Sequence, residues 1–171
     1  MTKLPSQLLS TEEVLTMIRN CRTSRDRALI SALFEGGFRI KELGTLTWSQ
    51  ILFDRYGCVV NVNVKTGRPR YVRLITSAPY LAAWKSDYPL SMNEESLVFL
   101  TTQYRPLEHA GVATQLKKIA KRAGITKHIT PHIFRHSRIT ALLQQGFSES
   151  TIKLTMWGSL DTTMLRLPMR T

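Results

Sequence analysis

Apolar side chains recur at helical spacing along most of the chain, with polar and charged side chains between them. In the segment STEEVLTMIRN, Ser10 and Glu13 form a capping-box pattern ahead of apolar residues that are spaced for one helix face. Gly36 and Gly37 follow the next apolar stretch, and glycine at that place is typical of a helix end. The spacing predicts helices at about residues 10–20, 24–35, 38–46, 77–84, 107–123, 131–145 and 148–156.

The middle of the chain has a different pattern, rich in β-branched and aromatic residues. The segments SQILFD, CVVNVNV and RYVRLI have the length and composition of strands. KTGRP lies between the last two, and Gly67 predicts a hairpin turn there. The short apolar segment SLVFL fits no single type. We therefore predict an α+β fold: one mostly helical domain over residues 1–171 with a small three-stranded antiparallel sheet.

Length and composition restrict the class of protein. A chain of 171 residues with 43% hydrophobic residues is sufficient for one domain with a real core, which argues against disorder. The sequence contains no stretch of membrane-helix length and does not begin with the apolar run of a signal peptide. Cys21 and Cys58 lack metal or redox spacing, so we predict ordinary reduced thiols in a cytoplasmic protein without a membrane partner.

The net charge of +12 is concentrated in two segments that contain no Asp or Glu, residues 55–86 and 109–148. They hold 13 of the 24 Lys and Arg residues, whereas acidic and basic side chains nearly balance elsewhere. If the fold brings the segments together, they form one positive groove suited to a polyanion. The alternative is a generally basic protein with solvated lysines.

The segment PHIFRHSR, residues 131–138, concentrates hydrogen-bond donors at a predicted helix start. Thr130 suits the N-cap and Pro131 the first helical position. His132, Arg135 and His136 are spaced i, i+3 and i+4, so they share one face near the positive end of the helix dipole. Such a site suits a phosphate. The alternative is a solvated basic face with one buried histidine.

Four sequence motifs, taken in their order along the chain, indicate a protein family more specifically than any one of them does alone. They are GGFRIKEL, the basic hairpin VKTGRPRYVRL, the helix PHIFRHSR and the segment MWGSLDTT. This order resembles the catalytic domain of the tyrosine recombinases, the phage integrase family. The family carries a G-x-R-x-x-E-L segment, a hairpin lysine, an H-x-x-R motif and a later Trp. The matching positions are, in that order, Gly37, Arg39, Glu42 and Leu43; Lys65; His132 and Arg135; and Trp157.

The resemblance implies DNA integration or site-specific recombination by strand breaking and rejoining on double-stranded DNA, with no metal or other cofactor. It implies that Arg39 and Arg135 clamp the phosphate and that Lys65 protonates the leaving 5′-oxygen. His132 would transfer the proton at the nucleophile, and Trp157 would pack at the site and donate its indole N–H. We expect further DNA contacts from basic side chains on the same surface: Arg68, Arg70, Arg73, Lys117, Lys121 and Arg138. Because exposed charges contribute little to stability, removing either clamp arginine should weaken DNA binding without unfolding the domain.

The sequence departs from the family pattern in two places. The N-terminal core-DNA-binding domain of the family is expected to be absent, since the resemblance begins close to Met1. The family's nucleophilic tyrosine is expected near Pro168, but the five tyrosines all lie between residues 56 and 104. We therefore expect a C-terminally truncated or altered catalytic domain that binds DNA but is inactive. It should be a monomer alone, whereas family members form tetramers on DNA. Its last motifs look most like those of archaeal members, and an archaeal, viral or other mobile element is the expected source.

Two other functions stay open at this point. One is a DNA-binding accessory or regulatory fragment without chemistry, which the missing tyrosine favours. The other is a metal-dependent hydrolase, because His132 and His136 have the i, i+4 spacing of zinc-binding helices. That motif requires a Glu after the first His, where this chain has Ile133, and the sequence offers no evident third ligand.

Overall fold

The computed structural model describes residues 5–62 and 69–157. Its strands are β1 Ile51–Asp54, β2 Gly57–Val62 and β3 Arg70–Leu74. Its α-helices are α1 Thr11–Arg19, α2 Ser24–Gly36, α3 Ile40–Gly44, α4 Ala78–Ser86, α5 His109–Arg122, α6 Pro131–Gln144 and α7 Glu149–Trp157. The predicted α+β fold, mostly helical with a three-stranded antiparallel sheet, is confirmed over these residues.

Local hydrogen bonds fix the helix ends that the sequence predicts. The Ser10 hydroxyl accepts the Glu13 amide at 3.1 Å, and the Glu13 carboxylate accepts the Ser10 amide at 3.0 Å. The Thr130 hydroxyl accepts the Ile133 amide at 3.3 Å and caps α6 in the same manner. Gly37 ends α2 in the left-handed region, at φ 60°. Each of these contacts lies within one turn of its helix end, which is why a short sequence pattern suffices to predict it.

The sheet has the order β1-β2-β3, and Val60 of β2 pairs with Ile51 of β1 and Val72 of β3. Burial alternates along β3: Arg70, Val72 and Leu74 are buried, whereas the residues between them are exposed. One face of β3 therefore contributes to the core, and this face includes an arginine. The predicted turn at Gly67 lies outside the described residues.

The apolar segment SLVFL is an extended core segment. Val98 and Phe99 are fully buried, and the amide of Val98 donates to the Leu46 carbonyl at 2.8 Å. Its neighbour Leu97 forms an isolated bridge with Thr47. The pairing partner comes from about fifty residues earlier in the chain, which explains why the local pattern left its type open.

Helix α2 lies at the centre of the domain, in contact with α1, α4, α6 and β3. A second, smaller core cluster joins α6 to α7 through Ile139, Leu142, Ile152 and Met156. This cluster holds the end of α7 against α6, close to the predicted site. In the described part of the chain, no helix has the length and apolar character needed to cross a membrane.

Both cysteines have free thiols, and both side chains are buried. Burial raises the pKa of Cys21 to about 12 and that of Cys58 to about 11. The thiolate is the reactive form, so neither side chain is prepared for nucleophilic or redox chemistry at neutral pH.

Candidate functional site: an arginine-rich cleft

A cleft of about 470 Å³ lies where α3, α5 and α6 begin. Three of the predicted site residues, Arg39, His132 and Arg135, line it together although they are up to about one hundred positions apart in sequence. Arg39 directly precedes α3 and is half-buried, whereas His132 is exposed in the first turn of α6. The imidazoles of His132 and His136 are edge-to-face, with ring centroids 5.5 Å apart. The fold thus brings these three residues to one cleft.

Arg135 is buried, which corrects the sequence expectation that it is an exposed charge. Its side chain is on the core side of α6 with only 3% of the residue exposed. One terminal nitrogen donates to the Gly37 carbonyl and the other to the Met156 carbonyl, the latter at 2.7 Å. The guanidinium therefore ties α6 to the end of α2 and to the end of α7. Because these bonds are buried, removing Arg135 should affect folding, contrary to the expectation from sequence.

The cleft concentrates positive charge that nearby acidic groups only partly balance. The pKa of Arg135 is lowered to about 9, chiefly by burial and also by the charges of Arg39 and Arg70, while the charge of Glu42 opposes this shift. Burial likewise lowers the pKa of Arg70, which Glu42 opposes and Arg39 reinforces. The guanidinium groups of Arg39, Arg70 and Arg135 therefore repel one another around the single carboxylate of Glu42. An anion in the cleft would relieve this repulsion.

Trp157 lies at the last position of α7, beside Arg135. The Arg135 Cζ atom is 5.0 Å from the centroid of the indole ring, within the range of a cation–π contact. The indole nitrogen is buried and has no hydrogen-bond partner among residues 5–62 and 69–157. Trp157 therefore packs against Arg135 and carries a donor that no described residue uses.

Arg70 does not have the exposed position expected of a DNA contact. Only 2% of the residue is exposed, and its terminal nitrogens donate to the Glu42 carboxylate at 3.2 Å and to the Met156 carbonyl. It lies on the inward face of β3, together with Val72 and Leu74. Period-two alternation along RYVRL is the sequence pattern that could have placed it inside. Lys65, Arg68 and the expected nucleophile position near Pro168 lie outside the described residues.

The other candidate DNA contacts are distributed over separate surfaces. Arg73 is exposed and pairs with both oxygens of Asp54, at 2.7 and 2.8 Å. Lys117 and Lys121 are exposed, but they line a second cavity of about 540 Å³ at the end of α5 rather than the arginine-rich cleft. Arg138 is half-buried and donates from its Nε to the Glu35 carbonyl at 3.0 Å. Among the described residues, the two basic segments meet where Arg70 and Arg135 both donate to the Met156 carbonyl.

The sequence reasoning missed four contributors to the site and named Glu42 only as a motif position, without a role. Lys41, Glu108 and His109 line the cleft, and Glu42 and the main-chain carbonyl of Met156 hold its arginines. The predicted helix start near Leu107 could have drawn attention to His109. The acceptor role of Met156 could not be predicted, because any residue type supplies a main-chain carbonyl. Within the described ranges, no group of three or more His, Cys, Asp or Glu side chains could hold a metal ion.

Comparison with known proteins finds relatives over most of this chain. Transposase A from transposon Tn554 of Staphylococcus aureus is 30% identical over 160 residues, which cover 85% of this chain and 43% of that protein. The tyrosine recombinase XerC of Xanthomonas campestris pv. campestris is 31% identical over 149 residues, covering 84% of this chain and 45% of that protein. This chain spans about half the length of the curated relatives that it matches.

Solved structures show the same fold. XerA recombinase superimposes with a TM-score of 0.79 at 21% identity, covering 91% of this chain and 56% of that one. XerH site-specific recombinase bound to its difH substrate gives 0.74 at 23% identity, covering 92% and 48%. Residues 7–165, nearly the whole chain, match the phage integrase family. The chain with the arginine-rich cleft therefore belongs to the phage integrase family.

Proposed function

We propose that this chain is a catalytic domain of the tyrosine recombinase type that binds double-stranded DNA. The chemistry of such domains is site-specific breaking and rejoining of DNA, but from the positions of the tyrosines in the printed sequence we expect binding without cleavage. The observation that carries the proposal is the cleft in which Arg39, His132 and Arg135 converge around excess positive charge. Family membership and the DNA-bound relative XerH support the same assignment. DNA integration and recombination are the corresponding cellular roles.

The chemistry of the cleft suits a phosphodiester. A guanidinium can donate two parallel hydrogen bonds to non-bridging phosphate oxygens and needs no metal ion to do so. Two of the five donors of Arg135 are used by the carbonyls of Gly37 and Met156, which orient the group while it lines the cleft. Arg39 is the more accessible clamp. By analogy with oxyanion donors, each clamp would stabilise the transition state by about 3 kcal/mol.

The remaining roles stay proposals for the same reaction. His132 would move a proton at the nucleophile, a step worth roughly 10²–10⁴-fold. Trp157 would donate its indole N–H to the phosphate, and Lys65 would protonate the leaving 5′-oxygen. Exposed Lys117 and Lys121 would contact more distant DNA phosphates from the second cavity.

The first experiment measures DNA binding against salt. With about six phosphate contacts, the logarithm of the affinity should fall with the logarithm of the salt concentration at a slope near −5. Fluorescence anisotropy on a labelled 30-base-pair duplex, from roughly 50 to 200 mM salt, gives this slope. Arg39→Ala should weaken binding, whereas Arg22→Ala, an exposed arginine before α2, should not. Binding that ignores salt contradicts the proposal.

A second candidate function is DNA binding without strand cleavage, as an accessory or regulatory fragment. It is favoured by the positions of the tyrosines, all of which precede the α6 helix. A nicked suicide substrate tests whether this chain cleaves DNA, because cleavage leaves a protein–DNA adduct that survives denaturation. We expect no adduct from the chain with the printed sequence. An adduct that maps to Tyr104 or another upstream tyrosine would show that this chain is an active enzyme.

Three further features of the proposed protein rest on the sequence. We propose a monomer in the absence of DNA, tested by light scattering with and without duplex. We propose a cytoplasmic location, in keeping with a DNA substrate and reduced cysteines. We propose an archaeal source, because the motif FRHSRIT followed by MWG looks most like the archaeal members of the family. The genomic neighbourhood of the gene tests it.

A further inference from the structure

Arg70 is a buried charge that the proposed chemistry does not use. Its guanidinium lies inside the sheet end of the domain, 5.7 Å from the centroid of the Phe38 ring. Burying a charge costs several kcal/mol unless good partners compensate. The two acceptors that compensate here, Glu42 and the Met156 carbonyl, belong to elements that carry site residues.

The first acceptor leads to Arg39. The Glu42 Oε1 atom that accepts from Arg70 at 3.2 Å also accepts the main-chain amide of Arg39 at 2.7 Å. This single oxygen therefore holds the start of α3, from which the Arg39 side chain reaches the cleft. Without Arg70, the Glu42 carboxylate would lose its buried cationic anchor, and its hydrogen bond to the Arg39 amide would open more often.

The second acceptor leads to Trp157 and Arg135. The Met156 carbonyl accepts from Arg70 of β3 and from Arg135 of α6, the latter at 2.7 Å. Met156 directly precedes Trp157, so the bonds to this carbonyl help to hold the backbone that carries the indole. Three elements thus meet at one oxygen, and the guanidinium fork of Arg70 joins that point to α3.

We propose that Arg70 is a positioning residue that holds Arg39, through Glu42, and Trp157, through the Met156 carbonyl, in the geometry that binds phosphate. An arginine is required because its planar fork reaches two acceptors on different elements at once. A lysine presents a single ammonium group, and a methionine presents none. The role in DNA binding rests on the proposed function, whereas the role in holding Arg39 does not.

A double-mutant cycle in DNA affinity tests the coupling. Arg70→Met should weaken duplex binding roughly fivefold in the native sequence and less than about twofold when Arg39→Ala is already present. Arg73→Met, on the exposed face of the same strand, should have the same effect on both backgrounds. Arg70→Lys should restore part of the affinity. Equal losses for Arg70→Met on both backgrounds, or no loss, would overturn the proposal.

Amide hydrogen exchange separates this proposal from the proposed function. In Arg70→Met without DNA, the Arg39 amide should exchange roughly tenfold faster, while core amides of α2 keep their protection. If Arg70→Met fails to fold, Glu42→Gln provides the same measurement, since it keeps an acceptor but removes the charge. A chain that does not bind DNA but shows the selective exchange refutes the proposed function and retains the positioning role. Unchanged exchange at Arg39 refutes the positioning role.

Discussion

Replacing Arg135 by methionine should strongly destabilise the domain. Methionine keeps the apolar stem but removes the donors to the Gly37 and Met156 carbonyls and the 5.0 Å cation–π contact with Trp157. Hydrogen bonds from a charged donor contribute about 1.5–3 kcal/mol each. Part of this loss is offset, since the unfavourable burial of a charge, which lowers the pKa of Arg135, also disappears. A net loss of about 3 kcal/mol is expected.

For a domain of this size, a loss of about 3 kcal/mol corresponds to a decrease in Tm of roughly 6–12 °C. Thermal unfolding followed by circular dichroism measures the decrease, and urea unfolding measures the free energy directly. The matched control is Arg19→Met, an exposed arginine in the last turn of α1, which should change Tm little. If Arg135→Met and Arg19→Met unfold at the same temperature, the buried carbonyl contacts do not contribute and the reasoning is refuted.

Three further substitutions or reactions test other parts of the structure. Burial alone would raise the pKa of Glu35, but hydrogen bonds from the amides just before and at the start of α4 outweigh it and lower this pKa. The stabilisation of the fold by the ionised Glu35 carboxylate is present above pH 4.5 and is lost as the pH falls through the lowered pKa. Glu35→Gln should therefore lower Tm at pH 7 and flatten the acid side of the plot of Tm against pH. An unchanged plot would contradict this. Both Gly37 and Gly124 have positive φ, but only at Gly37 would an added Cβ lie 2.7 Å from a methionine sulfur. Gly37→Ala should therefore lower the Tm of the domain more than Gly124→Ala does. Equal decreases would contradict the close packing at Gly37. Both cysteine thiols should resist a disulfide reagent at pH 8 until the protein unfolds, and rapid labelling of the native protein would show that they are accessible.

The sequence by itself determined the elements and the family. Helix ends depend on contacts within one turn, such as Ser10 with Glu13 and Thr130 with the start of α6, so a short pattern predicts them. The family follows from the order of a few residue types along nearly the whole chain, since that order does not depend on where the side chains point. Arg39, His132 and Arg135 were found in this way.

Tertiary structure decided which positive charges face the cleft and which lie inside. Arg70 and Arg135 both look like surface charges by composition, but each shares its buried face with apolar residues at the period of its element. Their cost of burial is compensated by acceptors that are distant in sequence, and one of these is the main-chain carbonyl of Met156. Every residue supplies a main-chain carbonyl, so the residue type does not show which carbonyl will accept a hydrogen bond from a buried side chain. The role of the Met156 carbonyl arises only when β3, α6 and α7 pack together, because packing alone determines which acceptor a buried donor meets.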